Sequence, residues 1–293
     1  MKQKTILLTG ATGFLGSHLL ESFMQAGYEV VVLKRSKSDL WRIKHLCHQL
    51  KLYNIDEISP ESIFGENKID FVVHTATSYG RKNESIPEII QTNLIFGLAL
   101  LDAAIKNNVK CFVNTDTLLP KGVNAYALSK NQFTAWLKFE SKKIQVINLK
   151  IEHMYGTKDD IKKLVPWVIS QLKLNVPSIS LTPGNQLRDF VHIDDVVSAI
   201  ITSIEQLSKL DNFNEFEVGT GLSIPVRQFI EQVKLSFENH NGRSDTKLDF
   251  GKQPYRSGEP MHIKVNNQNL IKLGWFPKTS YVEGINNLMT QII

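Results

Sequence analysis

The sequence predicts an α/β fold, a doubly wound parallel sheet with helices on both faces and a smaller C-terminal α/β lobe. Three observations carry this. Wholly apolar, β-branched runs alternate with helical periodicity from Lys4 to Leu149, and continuous apolar strands belong to sheets buried on both faces. A turn rich in glycine joins the first strand to the first helix. After Tyr155-Gly156 the strict alternation stops. A chain of 293 residues accommodates one large domain or two modest ones. We therefore expect a sheet domain over residues 1–155, completed by later segments, and a second lobe mainly over 156–293.

The elements follow in order. Lys4 to Thr9 is the first strand, and Phe14 to Gln25 carries a helical pattern that Gly27 ends. Glu29–Leu33 is the second strand, Leu50–Tyr53 a weaker third and Ile69–His74 a fourth, with helices at Asp39–Cys47 and Pro60–Phe64 between them. One long helix is expected over Glu84–Asn107, because Ile89, Ile90, Leu94, Leu98, Leu101 and Ile105 recur mainly by threes and fours. Cys111–Asn114 is the fifth strand, Tyr126–Lys142 a helix and Ile144–Leu149 the sixth strand. Beyond them we expect helices at Ile161–Leu174, Ile193–Ser208, Val226–Glu238, Asn266–Leu273 and Val282–Ile292, with a short strand near Ile179–Leu181.

Composition narrows the function. With 42% hydrophobic and 22% charged residues, the chain is neither disordered nor fibrous. The apolar run Leu94–Leu101 stops at Asp102, short of the ~20 residues of a membrane span. Lysines and arginines number 34 against 29 acids but do not cluster, which argues against a nucleic-acid stripe and suits a phosphate-bearing small ligand. Met1 to Thr5 enters the first strand without an apolar leader core, and Cys47 and Cys111 both lie in apolar-periodic stretches, so no disulfide and a cytoplasmic location are expected. The eight histidines show no metal-ligand spacing, and no metal is expected.

Thr9-Gly10-Ala11-Thr12-Gly13-Phe14-Leu15-Gly16 spaces its glycines three and three apart between a strand and a helix. That is the Rossmann-type arrangement: a tight turn, a close backbone approach to pyrophosphate, and a helix N-terminus whose free N–H groups face the phosphates. At the end of the second strand, an acid would accept the ribose hydroxyls of NAD(H). This chain has Lys34-Arg35-Ser36 instead, and a guanidinium there holds a 2′-phosphate, so NADP(H) is favoured over NAD(H). Tyr126 and Lys130 stand four apart on one helix face. An ammonium beside a phenol favours the phenolate and can also bind the nicotinamide ribose. Thr115, near the end of the fifth strand, can share a substrate carbonyl oxygen with Tyr126.

With these motifs the chain resembles the extended short-chain dehydrogenase/reductase superfamily, and more narrowly the CDP-abequose and CDP-paratose synthases, 4-ketoreductases of dideoxyhexose formation. The segments that carry the resemblance are Val72–Gly80, Phe112–Thr117, Leu149–Gly156, Gln186–Phe190, Glu217–Gly221 and Leu273–Trp275, so it spans nearly the whole length. It implies a catalytic trio of Thr115, Tyr126 and Lys130. It also implies a cofactor site of Gly10, Thr12, Gly13, Phe14, Leu15, Gly16, Lys34, Arg35, Ser36, Asn54, Ile55, Thr75, Ala76, Thr77, Asn93 and Ile151, together with Tyr126 and Lys130. Dehydratases of the superfamily follow the threonine with Asp-Glu; here it is Asp116-Thr117, which disfavours elimination of water.

The resemblance further implies a nucleoside-diphosphate sugar held by Tyr79, Thr115, Asp116, Glu152, His153, Arg188 and Arg256. The two arginines would take the diphosphate, while a structural role for His153 is equally open, and Asp194 or Asp195 reads as a helix cap. The expected reaction is NADPH-dependent reduction of the C4 keto group of a CDP- or dTDP-linked 4-keto-6-deoxyhexose. Two alternatives remain: 4-epimerisation with a retained NAD, and a dinucleotide-binding sensor without turnover. A homodimer is expected by analogy, through the long helix at Glu84–Asn107 and the one at Tyr126–Lys142.

Overall fold

Thr5–Thr9 (β1) is buried at all five positions and feeds directly into Phe14–Gln25 (α1). In the computed structural model, which describes residues 3–81 and 83–292, the first half continues as Glu29–Lys34 (β2), Lys51–Asn54 (β3), Pro60–Glu66 (α2) and Phe71–His74 (β4). Ile86–Ile90 (α3), a π-helical turn at Gln91–Ile95 and Phe96–Lys106 (α4) follow, then Cys111–Thr117 (β5), Ala125–Glu140 (α5) and Gln145–Ile151 (β6). The remaining elements are His153–Tyr155 (β7), Leu164–Lys173 (α6), Ser178–Leu181 (β8), Leu187–His192 (β9), Ile193–Glu205 (α7), Phe213–Val218 (β10), Ser223–Pro225 (β11), Val226–Asn241 (α8), Lys247–Phe250 (β12), Gln268–Lys272 (α9) and Tyr281–Ile292 (α10).

The chain forms two compact units, Met1–Lys150 with Val197–Phe216, and Ile151–Val196 with Glu217–Ile293. In the first, seven strands run in the order β10-β6-β5-β4-β1-β2-β3. β1 pairs in parallel with both β2 and β4, and β2 with β3 and β4 with β5 do the same. The winding reverses between β1 and β4, so a crevice opens at their C-terminal ends. The core joins Leu7, Val31 and Val72 of the sheet to Leu100, Leu101, Phe133 and Leu137 of α4 and α5.

Three expectations change here. The helix expected at Asp39–Cys47 is only a 3-10 helix at Lys44–Gln49, because Asp39 Oδ1 accepts the Trp41 amide at 3.0 Å and diverts the chain into a turn. The long helix begins at Ile86, where Ser85 and Glu88 form a capping box, and is interrupted by the π-turn. Ile86–Lys106 is nonetheless a continuous run of 21 residues that by length and composition alone is able to cross a bilayer, contrary to the run-length argument. Leu100, Leu101, Ala103 and Ala104 of this run are packed in the core of the first unit.

In the second unit, β9 pairs in parallel with β7 and antiparallel with β11, and β12 pairs in parallel with β8. Phe190 and Phe229 stack at 3.6 Å in its core, with Tyr155 edge-on to Phe229 at 5.3 Å. Asp194 and Asp195 do not cap α7. They lie inside its first turn, and the Asp195 carboxylate accepts the amides of Lys278 and Thr279 at 2.9 and 3.0 Å.

Candidate active site

The turn after β1 is built around Gly10 and Gly16. Gly10 sits at φ +71°, where a Cβ would also come within 2.6 Å of Thr75 Oγ1 and 2.7 Å of the Ala76 amide. A Cβ on Gly16 would overlap the Gly10 carbonyl. α1 starts after Gly13 with no side-chain cap, leaving its first amides to a ligand. The close packing that only glycines permit, together with these uncapped amides, fits a dinucleotide pyrophosphate. Arg42 donates to the Thr12 carbonyl at 3.2 Å, with its guanidinium 4.4 Å from the Trp41 ring. Nothing in the spacing pointed to Arg42.

The residues at the end of β2 are not equivalent. Lys34 Nζ donates to Asn54 Oδ1 at 2.6 Å. The Ser36 amide donates to Asp56 at 2.8 Å, and the Ser36 hydroxyl donates to the same carboxylate. Those two bonds hold the Asp56 pKa below the usual carboxylate range. Arg35 is exposed and its guanidinium has no ion pair among the described residues. Asp56, which the sequence reading missed, thus places a carboxylate beside Ser36.

At the end of β4 the segment Thr75–Thr77 lines the crevice, and Asn93 holds its continuation. Asn93 is fully buried. Its Oδ1 accepts from the Thr77 hydroxyl at 3.2 Å and the Ser78 amide at 2.7 Å; its Nδ2 donates to the Ser78 carbonyl at 2.9 Å and to Ser129 Oγ at 3.0 Å. π-turns recur at functional sites, and this one inserts its extra residue where Asn93 must reach both the loop and α5.

α5 is capped by Asn124, which accepts the Ala127 amide at 2.8 Å, and it presents Tyr126 and Lys130 to the end of β5. The Thr115 hydroxyl, nearly buried, donates to the His74 carbonyl at 3.2 Å. The Tyr126 ring lies 4.9 Å from that of Tyr79, over which Arg81 sits at 5.4 Å. Burial, with Tyr79 and the Asp116 carboxylate adding to it, pushes the Tyr126 phenol above its ordinary value; a hydrogen bond with the Thr117 side chain and the charge of Arg81 oppose the shift. Burial lowers the Lys130 ammonium, and Asp116 opposes that. The expected lowering of the Tyr126 pKa is therefore not what this arrangement does. It keeps the phenol protonated, the state a proton donor needs.

Asp116 departs from its expected place at a substrate. Its Oδ1 accepts the Thr117 amide at 2.8 Å, and its Oδ2 accepts from Thr134 Oγ1 at 2.8 Å and Asn148 Nδ2 at 3.0 Å. With both oxygens engaged and the residue buried, the carboxylate acts as a fixed negative charge behind Tyr126 and Lys130.

Ile151, Glu152, His153, Arg188 and Arg256 belong to the second unit. Arg188 is buried, donates to the Leu187 carbonyl at 2.8 Å and pairs with Glu259. Arg256 is exposed. His153 Nδ1 lies 2.8 Å from Glu152 Oε1. Asp189, beside Arg188, accepts the Thr220 amide and hydroxyl, each at 2.8 Å, and the Gly221 amide at 2.7 Å, so it is a loop anchor.

A glycine turn at the switch point of such a sheet, with a threonine, a tyrosine and a lysine gathered at the neighbouring strand end, defines a dinucleotide-binding α/β enzyme. Residues 6–219 match the NAD dependent epimerase/dehydratase family, and the chain belongs to that family. It is 33% identical to CDP-abequose synthase of Salmonella muenchen over 98% of this chain and 97% of the relative. It is 25% identical to dTDP-D-glucose 4,6-dehydratase of Mus musculus over 96% of this chain and 86% of that protein. Among solved structures, UDP-glucose 4-epimerase of Thermotoga maritima with UDP-glucose superposes with a TM-score of 0.85 at 25% identity, covering 98% of both chains.

Proposed function

We propose that this enzyme reduces the C4 keto group of a nucleoside-diphosphate 4-keto-6-deoxyhexose or its dideoxy analogue, CDP- or dTDP-linked, with NADPH, in deoxysugar formation for a surface polysaccharide. The observation that carries the reading is the set of Thr115, Tyr126 and Lys130 on a chain similar along its length to CDP-abequose synthase. Thr117, where dehydratases carry glutamate, supports reduction over elimination.

The turn from Gly10 to Gly16 would hold the pyrophosphate, Arg35 a 2′-phosphate, and Thr75–Thr77 with Lys130 the nicotinamide side. A bound reduced nicotinamide supplies hydride to carbon. Tyr126 hydrogen-bonds the carbonyl oxygen and stabilises the negative charge that develops on it, and Thr115 joins it once its hydroxyl turns from the His74 carbonyl to that oxygen. Tyr126 Oη then gives its proton to that oxygen, completing the hydroxyl, and Lys130 steadies the phenolate left behind. Within the second unit, exposed Arg256 would offer a cationic partner to a diphosphate, whereas Arg188 is buried and already paired with Glu259.

The similarity to UDP-glucose 4-epimerase favours a second reading, 4-epimerisation with a retained dinucleotide. A panel of CDP-, dTDP-, UDP- and GDP-linked sugars, each offered as the 4-ketosugar and as the 4-hydroxy sugar, separates the two. Free NADP+ formed in step with product from a 4-ketosugar supports reduction; inversion of C4 in a 4-hydroxy sugar without bulk cofactor turnover supports epimerisation. We also propose a homodimer. Leu128, Trp136 and Phe139 project from α5 as an exposed apolar stripe, which a second copy would cover. A monomeric mass by light scattering overturns this.

A further inference from the structure

His74 ends β4 directly across from Thr9 in the β1–β4 register, and both residues are wholly buried. Its Nδ1 lies 2.8 Å from Thr9 Oγ1. That oxygen already accepts the amides of Thr75 and Ala76, each at 3.2 Å. A third donor from the imidazole would strand the hydroxyl proton in the core, because among the described residues Nδ1 is the acceptor it has. The Thr9 hydroxyl therefore donates to Nδ1, and the imidazole is the neutral tautomer with its proton on Nε2. Nε2 has no hydrogen-bond partner among the described residues. Its surroundings are the rings of Phe96, Phe112 and Phe133, with centroids at 5.6, 6.0 and 5.7 Å.

A buried ring nitrogen without a partner is costly, and a phenyl ring would suit this aromatic nest better. What the imidazole supplies is the acceptor at Nδ1. The geometry points to His74 as a positioning residue for dinucleotide binding: its imidazole holds the Thr9 hydroxyl, and that hydroxyl fixes the Thr75 and Ala76 amides against Gly10 in the phosphate turn. The contact is tight enough for this to matter. Thr75 Oγ1 also donates to the Thr9 carbonyl at 2.8 Å, and turn and strand end lie so close that a Cβ on Gly10 would come within 2.7 Å of the Ala76 amide. Through its own carbonyl, which accepts the Thr115 hydroxyl, His74 also tethers the end of β5.

The inference rests on the dinucleotide reading above. Its test is the dissociation constants of NADPH and NADH, measured by calorimetric titration. His74→Phe keeps the ring and removes the acceptor, and is expected to weaken binding about fivefold, the weight of one neutral hydrogen bond. His74→Asn puts Oδ1 where Nδ1 stood but opens a cavity, so it should lower the thermal midpoint yet bind within about twofold of wild type. Thr9→Val should match His74→Phe, and the double variant should bind no worse than either.

Wild-type affinity in His74→Phe, equally weak binding in His74→Asn, or additive losses in the double variant overturn the proposal. Should His74→Phe fail to fold, Thr9→Val decides, and an unchanged constant there overturns it. A wild-type chain that binds neither dinucleotide overturns the functional reading as well, which marks that failure apart from this one.

Discussion

Asn93 Nδ2 donates to the Ser129 hydroxyl at 3.0 Å, and that hydroxyl donates onward to the Tyr126 carbonyl at 2.9 Å, so the π-turn is tied to the helix that bears Tyr126 and Lys130. A regular α-helix through Gln91–Ile95 would swing Asn93 by about 100° and break the tie. Asn93→Ala leaves the half-buried Ser78 amide and carbonyl without this partner. We expect a loss of about 2–4 kcal/mol in denaturant unfolding and turnover reduced by about tenfold or more. Ser129→Ala should lose only about 1 kcal/mol. An Asn93→Ala protein as stable as wild type would refute the network.

Tyr126→Phe keeps the packing against Tyr79 and deletes the proton donor. Turnover should fall at least ~100-fold while calorimetric NADPH binding holds. Near-wild-type rates across pH would remove Tyr126 from the donor role.

The charge behind the pair predicts a pH effect. Asp116 raises both Tyr126 and Lys130, so Asp116→Asn should lower both. Reduction needs the phenol protonated, and its rate is lost as pH rises through the tyrosine pKa. The basic limb of kcat should therefore move to lower pH in Asp116→Asn. A limb that stays put, or moves upward, shows that the carboxylate does not reach the pair.

The parts of this fold legible in the sequence are those with local signals. β1 to the phosphate turn to α1 shows in consecutive residues, because a buried strand and a glycine turn each have a composition of their own. Tyr126 and Lys130 are one helical turn apart. The π-turn left no mark, since Leu94, Leu98 and Leu101 keep helical spacing around it. β7 and β11 span three residues each, too few for any period. Asp56 acts on Ser36 from the end of another strand, and Glu259 on Arg188 from a distant loop; such pairings exist only once the chain is folded. Asp116 looked like a substrate ligand for the same reason, as Asn148 and Thr134 come to it from other elements.

His74 predicts acid sensitivity. Burial, reinforced by the charge of Lys130, lowers its pKa from 6.5 to about 3. Between those values the unfolded chain takes up a proton that the fold refuses. Its contribution to stability is therefore full above 6.5 and is lost as pH falls toward 3. From pH 7 to pH 5 this histidine alone should account for about 2 kcal/mol. Urea unfolding of wild type and His74→Asn at both values checks it: the variant should lose less by about that amount. Equal losses would mean that His74 is protonated in the fold.

Cofactor choice turns on the end of β2, where opposite charges compete. Ser36 is bound to Asp56 and Lys34 to Asn54; if NADPH is the cofactor, Arg35, exposed and without an ion pair among the described residues, would meet its 2′-phosphate. One charge-assisted bond there is worth roughly 1.5–3 kcal/mol, or about 10- to 150-fold in affinity. Arg35→Asp should reverse the preference, because a second carboxylate beside Asp56 repels the phosphate and accepts the ribose hydroxyls of NADH. Asp56→Asn should move it the other way, raising kcat/KM for NADPH relative to NADH, since it removes a negative charge from the same corner. It also frees a donor amide. The effect is smaller than that of Arg35→Asp, because Asp56 is exposed and solvent screens it. The ratio of kcat/KM for the two cofactors, measured at low and high salt, decides. A wild type that prefers NADH, or an Asp56→Asn protein whose ratio shifts toward NADH, overturns this account of the second strand's end.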